Sequence, residues 1–129
     1  MTTLPRFLAF DEVLFLHADL IARYGGGLGL RSPRLLASAI EQPRAMFEGR
    51  FLHRDLEEMA VAYLFHLVGN HPFLDGNKRV GAAAAVVFLD LNAAPILADQ
   101  EGLCAITLAV AQGRAVKAEV VAFLRSRRR

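Results

Sequence analysis

The apolar run from Val80 to Leu89 constrains the fold of this chain more than any other feature. It lies inside a stretch, from Asn77 to about Asn92, that predicts a helix whose side chains are apolar on nearly every side. The small residues at 81–85 would let other helices approach it closely on all faces. Because the run is too short to cross a bilayer, we expect it to form the central helix of a soluble bundle.

Apolar residues elsewhere in the chain also recur at helical spacing. Ser32-Pro33 and Asp55 are typical of helix N-termini, and Asp11 is available as the N-cap of the first helix. The glycines between 25 and 29 are expected to end that helix rather than to bind phosphate, since no Gly-Lys-Ser/Thr follows them. Helices are therefore predicted over residues 13–24, 33–42, 55–70, 77–92, 99–112 and 116–125.

One segment, Arg44 to Phe51, lacks the helical period and alternates weakly between polar and apolar residues, as a short hairpin does. It is predicted to form an extended flap. The chain of 129 residues shows no internal repeat and no interdomain linker. We therefore predict one all-α domain over residues 1–129, a compact bundle of about six helices around a buried central helix, with this flap as its one extended piece.

Charge is distributed unevenly along the chain. The formal net charge is +2, but the four arginines at 125, 127, 128 and 129 leave the rest of the chain with a net charge of −2. A basic tail on a mildly acidic body does not favour direct nucleic-acid binding. We expect the tail, residues 125–129, to be a frayed, solvated chain end rather than an anion-binding element.

The single cysteine and three scattered histidines are not expected to carry chemistry. Cys104 alone excludes an intramolecular disulfide and a cysteine-rich zinc site, and its apolar surroundings predict a buried, inert thiol. His17, His53 and His66 do not have the spacing of metal ligands, and His66 is expected at the edge of the core. The N-terminal sequence lacks the pattern of a secretory signal peptide, so we expect a cytoplasmic protein with no membrane association.

The segment from His71 to Arg79, HPFLDGNKR, concentrates polar side chains between two of the most apolar parts of the chain. Backbone N–H groups at a helix start bind anions, and Gly76 lets a phosphate approach the main chain. Lys78 and Arg79 place two positive charges in the first helical turn, where an anion between them would make them tolerable. Asp75 is a hard oxygen ligand suited to Mg²⁺, and His71 can accept a proton from a hydroxyl. Phosphoryl or nucleotidyl transfer requires these parts.

Each of these residues also has a plain structural explanation. Asp75 and Gly76 are a common turn pair, Asn77 is a good N-cap, and His71 could be a buried imidazole with satisfied hydrogen bonds. Their combination in one loop that precedes a helix favours a functional site over these explanations.

HPFLDGNKR resembles the signature of the Fic/Doc superfamily, H-x-F-x-[DE]-G-N-x-R-x-x-R at the start of a buried helix. Two departures favour the death-on-curing (Doc) branch. Lys78 stands where AMP-transferring Fic enzymes usually have glycine, and Ala82 stands at the position of their second arginine. The resemblance extends over nearly the whole chain and includes the turn at Tyr24-Gly25-Gly26 and the helix end before Asn92.

The resemblance implies a role for each residue of the motif. His71 would deprotonate the acceptor hydroxyl, Asp75 would bind Mg²⁺, and Phe73 would anchor the loop in the core. The phosphates of ATP would be held by Gly76, Asn77, Lys78 and Arg79. The target segment would be aligned, by backbone pairing, on flap residues Arg44, Met46, Phe47 and Gly49.

The resemblance also implies an activity. In the Doc branch ATP binds in the reversed direction, so the expected enzyme is a kinase that phosphorylates a Ser or Thr hydroxyl of a translation factor of the elongation factor Tu type. Such an enzyme would act as a toxin that arrests translation. AMP transfer to a protein hydroxyl is one alternative, and a catalytically inactive interaction module with the same fold is another. A nucleic-acid-binding helical domain that uses the arginine tail is a third.

Regulation is expected to come from a second chain. Some Fic proteins carry an inhibitory helix with the pattern [ST]-x-x-x-E-[GN], which this sequence lacks. The resemblance therefore implies a short Phd-like antitoxin. The hydrophobic content of 54% fits a groove for an amphipathic partner segment, and it fits an apolar-rich core equally well.

Overall fold

A computed structural model describes residues 4–129, and helices dominate it. The helices are α1 (Phe10–Tyr24), α2 (Pro33–Glu41), α3 (Leu56–Asn70), α4 (Asn77–Leu91), α5 (Gln100–Ala111) and α6 (Lys117–Ser126). A 3₁₀ turn (Gln42–Arg44) leads into two short strands, β1 (Met46–Phe47) and β2 (Arg50–Phe51). The predicted all-α bundle of about six helices with a short flap is confirmed.

Residues 1–3 lie outside the described residues. They belong to the predicted domain and to the N-terminal sequence that lacks a signal-peptide pattern. Within residues 4–129, the helices all fall short of the length and apolar content that crossing a membrane requires.

Side-chain hydrogen bonds cap the starts of α2 and α3. Ser32 Oγ accepts a hydrogen bond from the Leu35 N–H at 3.1 Å, and Asp55 Oδ1 accepts one from the Glu58 N–H at 2.9 Å, so both predicted N-caps are confirmed. The predicted N-cap Asp11 is wrong, because α1 begins earlier, after Ala9. The Ala9 N–H donates to the carboxylate of Glu12, three residues on, at 2.9 Å.

The buried centre of the bundle is a pair of helices, α3 and α4. Tyr63 and Leu64 of α3 are fully enclosed, and Gly81 of α4 lets the two backbones approach closely. A Cβ atom at Gly81 would lie 2.9 Å from Val68 Cγ2 and 3.2 Å from the Leu64 carbonyl oxygen. Two of the four alanines after Gly81, Ala84 and Ala85, are also fully buried, so small residues on this side of α4 allow close packing in the core.

The prediction that other helices cover α4 on all faces is wrong on one side. Ala82, Ala83 and Val86 are only half-buried, and they line an open cleft. Small apolar residues on α4 therefore serve two purposes: one face packs against α3, and another forms a cleft wall.

The flap is a two-residue-turn hairpin, as predicted. Met46 pairs with Phe51 and Phe47 with Arg50, and the turn between them uses positive φ angles at residues 48 and 49. Arg44 lies outside the hairpin, in the 3₁₀ turn, with its guanidinium 5.1 Å from the centre of a phenylalanine ring. Met46 and Phe47 are both exposed.

Three of the four C-terminal arginines form ion pairs, so the predicted frayed tail is wrong. Arg125 forms an ion pair with Asp55, Arg127 contacts Asp99 at 2.6 Å, and Arg128 pairs with Glu57, which is only 6% exposed. Backbone contacts dock the same segment, including a hydrogen bond from the Leu97 N–H to the carbonyl oxygen of Arg127. The partners Asp55 and Asp99 are N-caps far away in sequence, and local charge patterns carry no information about such pairings.

His66 lies at the edge of the core, as predicted. It is half-buried in α3, and its Nε2 atom accepts a hydrogen bond from Lys117 Nζ at 2.9 Å. Burial, the neighbouring Lys117 charge and His53 together lower the pKa of His66 to about 4.

Candidate active site

His71 directly follows α3 and begins the motif segment, residues 71–79. Its backbone is left-handed, with φ of 52° and ψ of 53°, a conformation that costs a non-glycine residue about 1–2 kcal/mol. Arg31 contacts this turn: its Nε donates to the His71 carbonyl at 2.7 Å and its Nη2 donates to the Asn70 carbonyl at 3.0 Å. His71 itself is exposed, which excludes the buried-imidazole explanation.

Phe73, the predicted anchor of the motif segment, lies in the core. It is 1% exposed, and its ring stacks on that of His17 with the centroids 3.7 Å apart. Asn77 clamps the same residue: its Oδ1 accepts from the Phe73 N–H at 2.9 Å, and its Nδ2 donates to the Phe73 carbonyl at 3.0 Å. Asn77 is buried and is the first residue of α4, whose N-cap is Gly76. Its side chain therefore holds the loop, and its backbone N–H belongs to the first turn of α4, where N–H groups have no partner within the helix.

His17 of α1 supports the motif segment from the protein interior. It is not among the site residues predicted from the sequence. It is 2% exposed in α1, and its Nε2–H donates to the carbonyl oxygen of Asp75 at 2.7 Å. A signal was available, since a polar residue within an apolar helical stripe needs a hydrogen-bond partner when it is buried.

The glycine loop, residues 25–29, braces the motif segment from the side, in addition to ending α1. The Gly27 N–H donates to Asp75 Oδ2 at 3.1 Å, and the Gly29 carbonyl accepts from the Leu74 N–H at 3.0 Å. A Cβ atom at Gly26 would lie 2.8 Å from Asp75 Oδ2. One glycine is enough to end a helix, so the length of this glycine run was the signal that sequence reasoning did not use.

Asp75 fits the expected magnesium ligand. Hydrogen bonds from the backbone N–H groups of Gly27 and Gly76, with the nearby charges of Arg79 and Lys78, hold the pKa of this exposed carboxyl below its usual range. Each carboxylate oxygen accepts one of these N–H bonds and keeps a further lone pair. Within residues 4–129 no cluster of three or more His, Cys, Asp or Glu side chains could enclose a metal. Mg²⁺ at Asp75 would therefore take its other ligands from phosphate and water, as it commonly does.

Two exposed cations lie beside Asp75, in the first turn of α4. Arg79 Nη1 donates to the Gly25 carbonyl at 3.0 Å, and its guanidinium lies 5.4 Å from the centre of the Tyr24 ring. Lys78 is exposed at the adjacent position. The first N–H groups of an α-helix have no partner within the helix, so backbone and side chains together offer donors to an anion.

These residues open onto a cleft of about 800 Å³. Its polar end is formed by the motif segment, and the rest is mostly apolar, with walls from α1, α4 and α5 that include Leu20, Val86 and Leu108. Cys104 is exposed in the α5 wall, so the prediction of a buried thiol is wrong. The apolar run around Cys104 faces the cleft at this position, and periodicity alone does not distinguish a cleft wall from a core.

Residues 7–89 match the sequence model of the Fic/DOC family. The chain belongs to the Fic/Doc family. The matched region contains α1 to α3, the flap, the motif segment and nearly all of α4, whereas α5 and α6 lie beyond it. Every element that braces the Fic/Doc motif therefore falls inside the match.

Two curated relatives agree with this assignment. The chain is 30% identical over 120 residues to "Protein kinase doc" of Escherichia phage P1, a match that covers 93% of this chain and 94% of the phage protein. It is 40% identical over 76 residues to "Toxin Doc" of Mycolicibacterium smegmatis, covering 59% of this chain and 58% of that protein.

The Fic/Doc motif residues that were predicted to act together lie along one cleft: His71, Asp75, Gly76, Asn77, Lys78 and Arg79. The chemical roles of these residues stay predictions. The flap residues Arg44, Met46, Phe47 and Gly49 do not line this cleft, so any contact they make with a target would lie outside it.

Proposed function

We propose that this protein is a Doc-type toxin that acts as an ATP-dependent protein kinase in the cytoplasm. It transfers a phosphoryl group to a Ser or Thr hydroxyl of a translation factor of the elongation factor Tu type and thereby arrests translation. The observation that carries the proposal is one cleft end holding an exposed imidazole, an ionised carboxylate and two exposed cations at a helix N-terminus. The printed names of the two relatives, a toxin and a protein kinase, support it.

Each residue of the motif has its own role in the proposed reaction. His71 takes the proton of the acceptor hydroxyl as its oxygen attacks the γ-phosphorus of ATP. The bond from that phosphorus to the β–γ bridging oxygen breaks, and ADP leaves with the electron pair. Lys78 and Arg79, with the N–H groups of the first turn of α4, stabilise the charge on the phosphates. Mg²⁺ held by Asp75 would neutralise further phosphate charge.

Two positions favour phosphoryl transfer over AMP transfer. Lys78 places an ammonium group where AMP-transferring Fic enzymes have glycine, so it occupies space that a phosphate would otherwise fill. Ala82 lines the cleft without a charge, where those enzymes have a second arginine. One cationic contact for an α-phosphate is therefore missing.

The flap is the proposed docking site for the target. Met46 and Phe47 are exposed, and the outer edge of a two-stranded hairpin offers unpaired backbone groups to an extended segment. The protein substrate would then approach His71 from outside the nucleotide cleft.

The transferred group tests the activity directly. The protein is incubated with purified elongation factor Tu and ATP labelled at either the α- or the γ-phosphate. We expect label on the factor from γ-labelled ATP only, and transfer about 10²-fold slower or more with the His71→Ala variant. Label from the α position would instead establish AMP transfer. Growth arrest by His71→Ala equal to that of the unchanged protein would establish the inactive interaction module.

A Phd-like antitoxin is the proposed regulator, with its amphipathic segment in the apolar part of the cleft. The walls there are apolar and half-exposed, and the cations at 78 and 79 stand at one end, where an acidic partner residue would pair with them. Because nucleotide and antitoxin would share one cleft, bound antitoxin should exclude ATP.

The single cysteine provides a test of this site. Cys104 is exposed in the cleft wall, so its alkylation rate reports on occupancy. With a purified Phd-like antitoxin at about ten times its Kd or more, we expect alkylation to slow by at least about tenfold, because only about a tenth of the protein or less then has an uncovered thiol. An unchanged alkylation rate in a stable complex would place the antitoxin elsewhere.

A further inference from the structure

We propose that Arg31 is a positioning residue for His71, an inference that rests on the phosphoryl transfer proposed above. The motif and its neighbours do not include this arginine, which lies 40 residues earlier in the sequence, in the loop between α1 and α2. Its guanidinium nevertheless contacts the backbone of the proposed general base.

Arg31 and its neighbour fix three successive carbonyl groups around His71. The guanidinium donates to the carbonyl oxygens of Asn70 and His71, at 3.0 and 2.7 Å. The backbone N–H groups of Arg31 and Ser32 donate to the next carbonyl, that of Pro72, at 2.7 and 3.0 Å. The carbonyls of Asn70 and His71 belong to the two peptide planes that flank the His71 Cα atom. Fixing both planes sets φ and ψ of His71, and these angles set the direction in which its imidazole leaves the backbone.

This turn needs such a contact more than an ordinary helix end does. The last carbonyl groups of α3 have no partner within the helix, and the residue that follows a helix in a left-handed conformation is usually glycine. Here the position holds the imidazole that the reaction requires, so glycine is not an option. A planar guanidinium can donate to both carbonyls at once in a fixed geometry, which a lysine ammonium on a flexible stem does not reproduce.

The side chain and the backbone of this residue act separately, which makes the role testable. Replacing Arg31 removes the bonds to Asn70 and His71, whereas the backbone bonds to Pro72 remain. The loop should therefore stay docked while His71 samples other conformations. Because Lys78 and Arg79 hold the nucleotide, we expect the rate of transfer to fall and the KM for ATP to stay unchanged.

The first experiment is a kinetic comparison of single and double variants. We expect Arg31→Ala to lower kcat about 10- to 100-fold with an unchanged KM for ATP, since small misplacements of a reacting group have effects of this size. Arg31→Lys should recover only part of the loss, and Arg34→Ala, an exposed arginine in the first turn of α2, should match the unchanged protein. In a His71→Ala background, Arg31→Ala should cause no further loss. An unchanged kcat in Arg31→Ala, or an equal loss in both backgrounds, would overturn the proposal.

A second measurement does not depend on catalysis. The imidazole NMR signals of His71 are assigned from their absence in His71→Ala, and its backbone amide signal is assigned by triple-resonance experiments. We expect Arg31→Ala to shift or broaden both signals and Arg34→Ala to leave them unchanged. If the signals respond but the unchanged protein transfers no phosphate, the proposed function fails and the positioning role stands. If transfer occurs and the signals do not respond, the positioning role is wrong.

Discussion

Two clusters of basic side chains lie at the start of α4 and at the end of α6. Both are positively charged, but their surroundings differ. At the end of α6, Arg125, Arg127 and Arg128 each pair with a carboxylate of the same chain. At the start of α4, Arg79 donates to a neutral carbonyl and Lys78 is exposed. In the described part of the chain, residues 4–129, neither of these two forms an ion pair with a carboxylate.

The positions of the clusters along their helices explain the difference. Arginine in the last turn of a helix interacts favourably with the helix dipole, so the α6 cluster is stable without a ligand. Cations in the first turn oppose the dipole, and the α4 cluster therefore retains a positive potential that an anion would neutralise. A basic cluster paired with carboxylates of its own chain is structural, whereas one without such partners remains available to an anion, and the number of arginines does not distinguish the two.

The largest expected effect lies in the motif segment. Replacing His71 with alanine should reduce phosphoryl transfer about 10²- to 10⁴-fold, the usual contribution of a general base, and should leave the melting temperature unchanged because the side chain is exposed. Transfer of γ-labelled phosphate measures the rate, and calorimetry measures stability. His53→Ala, which changes a histidine outside the cleft, serves as the control, and an equal loss of activity there would contradict a specific role for His71.

The two basic clusters should respond differently to the loss of one charge. Lys78→Ala should weaken ATP binding about 10- to 100-fold, the size expected when a charge-assisted hydrogen bond is lost, without lowering stability. Isothermal titration with Mg·ATP measures this effect. Arg125→Ala should leave the ATP affinity unchanged. If both variants lost the same affinity, the distinction between the clusters would be wrong.

Gly26 tests the bracing of Asp75 by the glycine loop. Alanine at this position would be strained at a φ of 115° and would contact the Asp75 carboxylate. We expect Gly26→Ala to lower both stability, by about 1 kcal/mol, and phosphoryl transfer, by about tenfold. Gly113→Ala is the matched control, because its φ of 71° is also positive but open space surrounds it. Gly113→Ala should lose stability alone, and full activity in Gly26→Ala would exclude the bracing role.

The basic cluster at the end of α6 should contribute to the free energy of unfolding and not to ATP binding. Arg128→Ala removes a partner from the nearly buried Glu57, although Arg125 Nε remains 3.9 Å from the same carboxylate. We expect the free energy of unfolding to fall by about 1–2 kcal/mol, with ATP affinity unchanged. Urea denaturation measures the change, with Arg129→Ala as the control. A change of the same size in Arg129→Ala would show that the loss reflects the tail's overall charge.

The last expected effect concerns a cation that faces a neutral histidine, Lys117 beside His66. In the folded protein the pKa of His66 is lowered to about 4, so between pH 6.5 and 4 the unfolded chain binds a proton that the folded chain does not. Stability should therefore fall over this interval by about 1–2 kcal/mol, less than the full shift implies because the side chain is only half-buried. Below pH 4 this contribution should not change further. Denaturation across pH should show a shallower dependence in His66→Gln, and identical profiles would contradict the assignment.

Much of the fold could be predicted from the sequence because its signals are local. The caps at Ser32 and Asp55, the flap and the motif segment each depend on residues within a few positions of one another. The bracing by His17 and Arg31 could not be predicted, since those contacts join residues 58 and 40 positions apart. The same reason explains the tail, whose partners belong to distant helix starts. The prediction that Cys104 is buried is wrong because its face of α5 borders a cleft and not the core.

A crystal structure with magnesium and a non-hydrolysable ATP analogue tests the central proposal most directly. We expect the triphosphate at the first turn of α4, in contact with Lys78 and Arg79, and the γ-phosphate facing the His71 imidazole. An α-phosphate facing His71 would contradict the kinase assignment, and a nucleotide bound away from α4 would contradict the distinction between the two basic clusters.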